Sequence, residues 1–236
     1  MFHSPIVQAW PISSRRALRI MLYSHDTLGY GHLRRNLLLA AALSEIEPQP
    51  EILLVGGMRE AGSFAMPTGV DCLTLPAYAK QGDGSYRPRD LGRDLARLAA
   101  LRSRTIRSAA EGFDPDLVIV DNVPRGAQYE LDATLKALRA QGRARIVLGL
   151  RDVIDESAAV RRQWLRQRGF EAVRRFYDDV WIYGDPEVYD ILSDCGMGAG
   201  LGAAARHVGY LDPTGRRDAA QAGADRMSVL AADPRP

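Results

Sequence analysis

Three things are scarce in this 236-residue chain: cysteine, lysine and uninterrupted apolar sequence. The two cysteines, Cys72 and Cys195, form no zinc-type or redox spacing, so they read as reduced, buried thiols of a cytoplasmic protein. No apolar run nears the roughly 18 residues that a membrane span requires. The opening MFHSPIVQAWPISSRR also lacks the apolar segment of a secretory signal. Lys80 and Lys136 are the only lysines, and arginine supplies the rest of the 31 basic residues. Against 29 acidic residues the net charge is +2, which gives no global basic field, so nucleic acid is not an expected partner. What remains, 46% hydrophobic and 25% charged, is the composition of an ordinary globular chain long enough to bury a core.

From Arg19 onward, short apolar segments alternate with helical patterns. The spacing predicts strands at 19–24, 51–57, 71–77, 116–122, 145–152 and 179–185, with a last short one at 205–211. Several are apolar on both alternating faces, as strands of a parallel sheet covered on both sides must be. Helices are predicted at 32–46, 90–111, 128–141, 156–176 and 186–193, the last with Asp185 as its cap and Pro186 in its first position. This alternation predicts an α/β chain with a single Rossmann-like, doubly wound parallel sheet and right-handed crossovers over residues 19–211. Residues 1–18 read as an N-terminal extension, 76–89 as a long polar loop, and 212–236 as a disordered tail without apolar periodicity.

Every polar cluster falls just after a strand, where open α/β sheets bind ligands. The clusters are His25-Asp26-Thr27 with Gly29-Tyr30-Gly31-His32, then Asp121-Asn122, Arg151-Asp152 with Asp155, and Tyr183-Gly184-Asp185. Asp, Asn and Gly also serve routinely as caps and turn residues, and each cluster alone fits that role equally well. The first loop is not a dinucleotide cradle: Gly29 and Gly31 fit the pattern, but Arg34 stands at the third glycine, and the second strand ends in Val55-Gly56-Gly57 without an acid. It is not a phosphate loop of the Gly-Lys-Ser/Thr kind either. It is a Gly-x-Gly-His turn opening a helix, suited to an anion or a sugar. His32 faces the cleft there as a candidate general base able to take a proton from a hydroxyl at neutral pH. No metal-binding set is apparent.

The stretch YSHDTLGYGHLRRNLLLA (23–40) resembles the MurG-like glycosyltransferases of the GT-B class, and more closely a group of bacterial predicted glycosyltransferases. LGLRDVIDE (148–156), VWIYGDPEVYD (180–190) and HVGYLD (207–212) support the resemblance in the same order, so that it covers about residues 19–212. The resemblance implies the acceptor-side, N-terminal domain of a GT-B fold. Gly29 and Gly31 then match the loop glycines, and His32 matches the histidine that acts on the acceptor hydroxyl. Arg151 and Asp152 fall where that family lines the acceptor side of its cleft. With Tyr30, His25, Asp121 and Asn122 they complete the expected acceptor- or phosphate-binding set. The implied donor is a nucleotide-sugar used as substrate, with no resident cofactor, and the implied acceptor is a sugar or a lipid-linked saccharide.

The donor-side motifs of the family do not follow Gly209-Tyr210-Leu211-Asp212-Pro213. The expectation is therefore an acceptor-side half, either truncated or completed by a separate donor-binding chain, with little or no activity alone. Two other readings of the same residues stay open: a nucleotide-sugar hydrolase in which His32 activates water, and a non-catalytic glycan-binding module. The arginine-rich segment 89–107 carries Leu91, Leu95, Leu98 and Leu101 at amphipathic spacing. That pattern fits a helix covering a sheet, and it also fits peripheral contact with the inner face of a membrane.

Overall fold

The computed structural model describes residues 16–26, 30–82, 85–152 and 157–211. In chain order the elements are β1 (Arg19–Ser24), α1 (Gly31–Leu43), β2 (Glu51–Gly56), β3 (Val70–Thr74), β4 (Tyr78–Lys80), β5 (Tyr86–Pro88), α2 (Leu95–Phe113), β6 (Leu117–Asp121), α3 (Asp132–Gln141), β7 (Arg145–Arg151), α4 (Ser157–Arg166), α5 (Gly169–Phe176), β8 (Asp179–Tyr183), α6 (Ile191–Asp194), α7 (Gly198–Leu201) and β9 (Ala205–His207). Seven strands form one parallel sheet in the order β3-β2-β1-β6-β7-β8-β9. This is the Rossmann-like α/β arrangement that the strand–helix alternation predicts.

Alternation along the strands divides the core into two layers. Ile20 and Leu22 of β1 join Ile119 of β6, Val147 of β7 and the α1 residues Leu33, Leu37 and Leu39 on one face. Met21 and Tyr23 join Val120, Leu148, Ile182, Ile106 of α2 and Leu135 of α3 on the other. Strand β1 therefore has helices on both sides, and its residues Ile20 to Tyr23 are apolar on both faces for that reason.

Several local expectations change. The loop expected over 76–89 contains an antiparallel hairpin, with Tyr78 opposite Pro88 and Lys80 opposite Tyr86. Helix α2 begins at Leu95 rather than near 90, because the Asp94 side chain accepts from Arg97 N (3.0 Å) and Gly92 has φ +68°. Helix α3 starts only at Asp132, after Tyr129 at φ +57°. The single helix expected over 156–176 breaks into α4 and α5 at Arg168, whose φ is +54°. Asp185 does not cap a helix: its Oδ1 accepts from Glu187 N (2.9 Å) in a turn. Asp190 is the cap instead, accepting from Leu192 N (3.0 Å) and from Ser193 Oγ (2.7 Å). The last strand ends at His207. The expectations for 1–15 and for the tail 212–236 lie outside the described residues.

Candidate functional site

The sheet order reverses between β1 and β6, with β2 and β3 on one side and β7 to β9 on the other. A cleft opens at the carboxyl ends of the strands at such a reversal. Asp121 is the last residue of β6 and is buried, and His32 lies in the first turn of α1 above it. His32 Nδ1 stands 2.5 Å from Asp121 Oδ2. Arg35, one turn further along α1, donates from Nη1 to Oδ1 (2.6 Å) and Oδ2 (2.8 Å) of the same carboxylate. Burial pushes the Asp121 carboxyl up, but the His32 hydrogen bond and the Arg35 charge outweigh it and hold the group below the usual carboxylate range. An ionised Asp121 fixes the Nδ1–H tautomer of His32. Nε2 is then left with its lone pair and no hydrogen-bond partner among the described residues, and 18% of the side chain is exposed.

His25, just past β1, is buried with its ring centroid 4.7 Å from that of His32. Burial first, and then the neighbouring His32, push its pKa down to about 3, so the ring is neutral. Its Nδ1 is buried without a partner among the described residues. Asp26 follows in left-handed backbone (φ +40°) and accepts from Ser24 Oγ (2.8 Å) and Gly57 N (3.1 Å). Gly57 is required there, since a Cβ would fall 2.8 Å from the His25 carbonyl oxygen.

The remaining expected residues are distributed along the rim. Tyr30 is an exposed aromatic whose ring lies 5.7 Å from that of Phe64. Gly31 opens α1 with free space where a side chain would project. Asn122 has φ +67°, donates its N–H to Gly149 O (2.8 Å), and buries an Oδ1 with no partner among the described residues. Arg151 ends β7 and is exposed. Asp152 beside it accepts from the Tyr210 hydroxyl and packs on Gly184, where a Cβ would sit 2.5 Å from the aspartate Cβ. Gly29, Thr27 and Asp155 lie outside the described residues. The structure thus brings His25, His32 and Asp121 together and sets Arg151 and Asp152 at the exit of β7.

Two participants were missed in the sequence: Arg35, the second partner of Asp121, and a buried cluster on the opposite face of β1. In that cluster Arg102 of α2 is fully buried and donates to Glu130 through Nε (2.5 Å) and Nη2 (2.8 Å). Glu130 also accepts from the Tyr23 hydroxyl and from the Tyr78 hydroxyl (2.8 Å). The signal for Arg102 was its position on the buried stripe Leu98-Arg102-Ile106-Ala110. The leucine series at 91, 95, 98 and 101 is not that stripe: Leu91 and Leu101 are exposed. Among the described residues no helix is long and apolar enough to cross a membrane.

No family model matches the sequence, and no curated protein matches it. Among solved structures, a UGT transferase from Siraitia grosvenorii in complex with UDP superposes with a TM-score of 0.50 at 10% identity, over 92% of this chain and 56% of that one. A protein assigned as a UDP-N-acetylglucosamine 2-epimerase from Listeria monocytogenes gives 0.49 at 14% identity, over 80% and 44%. TubZ of Clostridium botulinum phage c-st gives 0.42 at 13% identity, over 70% and 52%. The chain spans about half the length of these three solved structures. The likeness is one of fold: this chain has the Rossmann-like α/β sheet also found in the Siraitia transferase.

Proposed function

We propose that the chain is the acceptor-side half of a nucleotide-sugar-dependent glycosyltransferase of the GT-B, MurG-like kind, with His32 as general base. The observation that carries this reading is the His32–Asp121 pair at the strand-order reversal, with Nδ1 committed to a buried carboxylate and Nε2 free. In the proposed step, Nε2 takes the proton of an acceptor hydroxyl as its oxygen attacks the anomeric carbon. The bond from that carbon to the nucleotide's phosphate breaks, and the nucleoside diphosphate leaves with the bonding electrons. Asp121 stabilises the imidazolium that forms, and a positioned base of this kind contributes about 10²–10⁴-fold.

Tyr30, Gly31, His25, Asn122, Arg151 and Asp152 line the acceptor side in this reading, with Gly29 completing the turn. The nucleotide-sugar is held by a second, donor-binding unit, and the working location is cytoplasmic. A lipid-linked acceptor accords with the groove of about 480 Å³ at the start of α2. Leu91, Leu98 and Leu101 meet Arg93, Arg97 and Arg104 there, which suits contact with the inner membrane face.

The test is His32→Ala in the source cells, read by mass spectrometry of envelope glycans and lipid-linked saccharides. Loss of one glycosylated species with accumulation of its unglycosylated precursor is expected. An unchanged profile refutes the base assignment, and a change confined to free sugar points to hydrolysis instead.

A further inference from the structure

Arg102 and Glu130 place opposite charges in the core on the face of β1 away from α1, where the proposed chemistry makes no use of them. A buried ion pair is a poor way to gain stability, since well-packed apolar side chains of the same volume usually do as well or better. What it offers instead is direction, because a guanidinium presents its donors in a fixed fork. Every nitrogen of that fork is engaged in Arg102. Nε and Nη2 engage Glu130, Nη1 donates to Pro76 O (2.7 Å), and Nη2 also reaches His25 O (3.4 Å). Its plane lies 4.4 Å from the Tyr78 ring centroid, which brings in the β4–β5 hairpin.

Four chain segments converge on this one side chain. His25 is the exit of β1, Pro76 the exit of β3, Tyr78 the hairpin, and Glu130 the segment leading from β6 to α3. The exit of β2 touches it too: a Cβ at Gly57 would fall 3.1 Å from Arg102 Nη1. Gly126, at φ +73°, admits the Glu130 side chain, since a Cβ there would stand 2.8 Å from Glu130 Cγ and 2.9 Å from the Tyr23 hydroxyl.

We infer that Arg102 is a positioning residue for the candidate site, its fork holding the His25 carbonyl and the neighbouring strand exits so that the His25 ring stays against His32. The His25 carbonyl is held by Arg102 while its ring packs, tilted, against the ring of His32. Arg102 touches neither imidazole and takes no part in proton transfer. Glu130 and the two tyrosine hydroxyls hold the fork at its correct rotation. The inference rests on the reading of His25 and His32 as the site.

The test uses the full chain, labelled with ¹⁵N, and follows the ring signals of its four histidines. Two variants are compared with the parent: R102K, which keeps a cation but loses the fork, and R102M/E130M/Y23F/Y78F, which replaces the polar cluster by apolar groups. Both are expected to keep slow amide exchange in β1 and β6 while losing the nuclear Overhauser contact between the His25 and His32 rings. The His25 pKa, which burial and the neighbouring His32 push down to about 3, is expected to move closer to the ordinary value of about 6.5 in both variants. Persistence of the ring contact and of the lowered pKa in R102K overturns the inference. So does failure of both variants to fold, which would make the cluster a requirement of folding and nothing finer. The readout involves no turnover: unchanged glycans in the His32→Ala cells would remove the catalytic reading and leave this result standing.

Discussion

Replacing Asp121 by asparagine keeps the shape of the side chain and removes its charge, and two dependants lose their partner. Arg35, with 11% of its side chain exposed, is left nearly buried and unpaired. Breaking a buried pair from one side costs about 3–5 kcal/mol, and the partial exposure of Arg35 favours the lower end. At about 2–4 °C per kcal/mol for a chain of this size, a loss near 3 kcal/mol lowers Tm by about 6–12 °C. The second dependant is His32, which then faces an amide in place of a carboxylate and loses the fixed Nδ1–H tautomer. If His32 is the base proposed above, transfer by the assembled enzyme falls by about 10⁴-fold, as in a histidine base deprived of its carboxylate.

The stability cost has a definite pH dependence. Because the folded-state Asp121 is held below its unfolded value, its contribution is complete above about pH 4 and drains away as the pH falls through the folded pKa. The deficit of Asp121→Asn is therefore full at pH 7 and shrinks below about pH 4. Urea unfolding followed by circular dichroism at a series of pH values measures this directly. Adding Arg35→Met removes the orphaned cation, so the double variant recovers about 2 kcal/mol relative to the sum of the singles. Additivity within about 0.5 kcal/mol, or a deficit that persists undiminished in acid, would refute the pairing argument.

Gly149→Ala places a Cβ 2.2 Å from the Tyr183 hydroxyl oxygen and 2.8 Å from two ring carbons, so it destabilises by about 1–3 kcal/mol in denaturant titration. Tyr183→Phe removes a buried hydroxyl that has no partner among the described residues, so it is neutral or stabilising by about 1 kcal/mol and relieves part of the Gly149→Ala cost. A clearly destabilised Tyr183→Phe would contradict that. His25→Gln tests the buried imidazole: the unfolded chain takes its proton near pH 6.5 and the folded one at about 3, so stability declines as pH falls across that window. The variant flattens that decline, which amounts to about 1.4 kcal/mol per pH unit at most, and an unaltered acid slope counts against the burial of the ring.

The sheet was legible because its strands are apolar on both faces and each ends in polar residues, as at Tyr23-Ser24-His25 and Val120-Asp121-Asn122. Helix boundaries were less so. Arg168 and Tyr129 adopt positive φ without being glycine, and Asp185 and Asp190 compete for one cap; tertiary packing settles both matters. Of the site, His32, His25 and Asp121 were accessible because proximity to strand ends is a topological property. Arg35 and Glu130 were not, since a surface arginine and one that clasps a buried carboxylate look alike in sequence. Arg102 occupied an apolar helical position, and only the charge waiting across the core makes that position tenable.

The centre of the sheet joins segments remote in sequence: β1 pairs with β6, and His32 meets Asp121 across 89 residues. Such pairing has to overcome a large loop-closure entropy and forms slowly. During synthesis β1, α1, β2 and β3 emerge before Asp121 exists, so the imidazole is first made without its carboxylate. Its proton tautomer is fixed only when β1 and β6 have zipped together. The His32–Asp121 hydrogen bond therefore arises with the finished centre of the sheet, and a nascent or partly folded chain carries an imidazole whose tautomer nothing yet fixes.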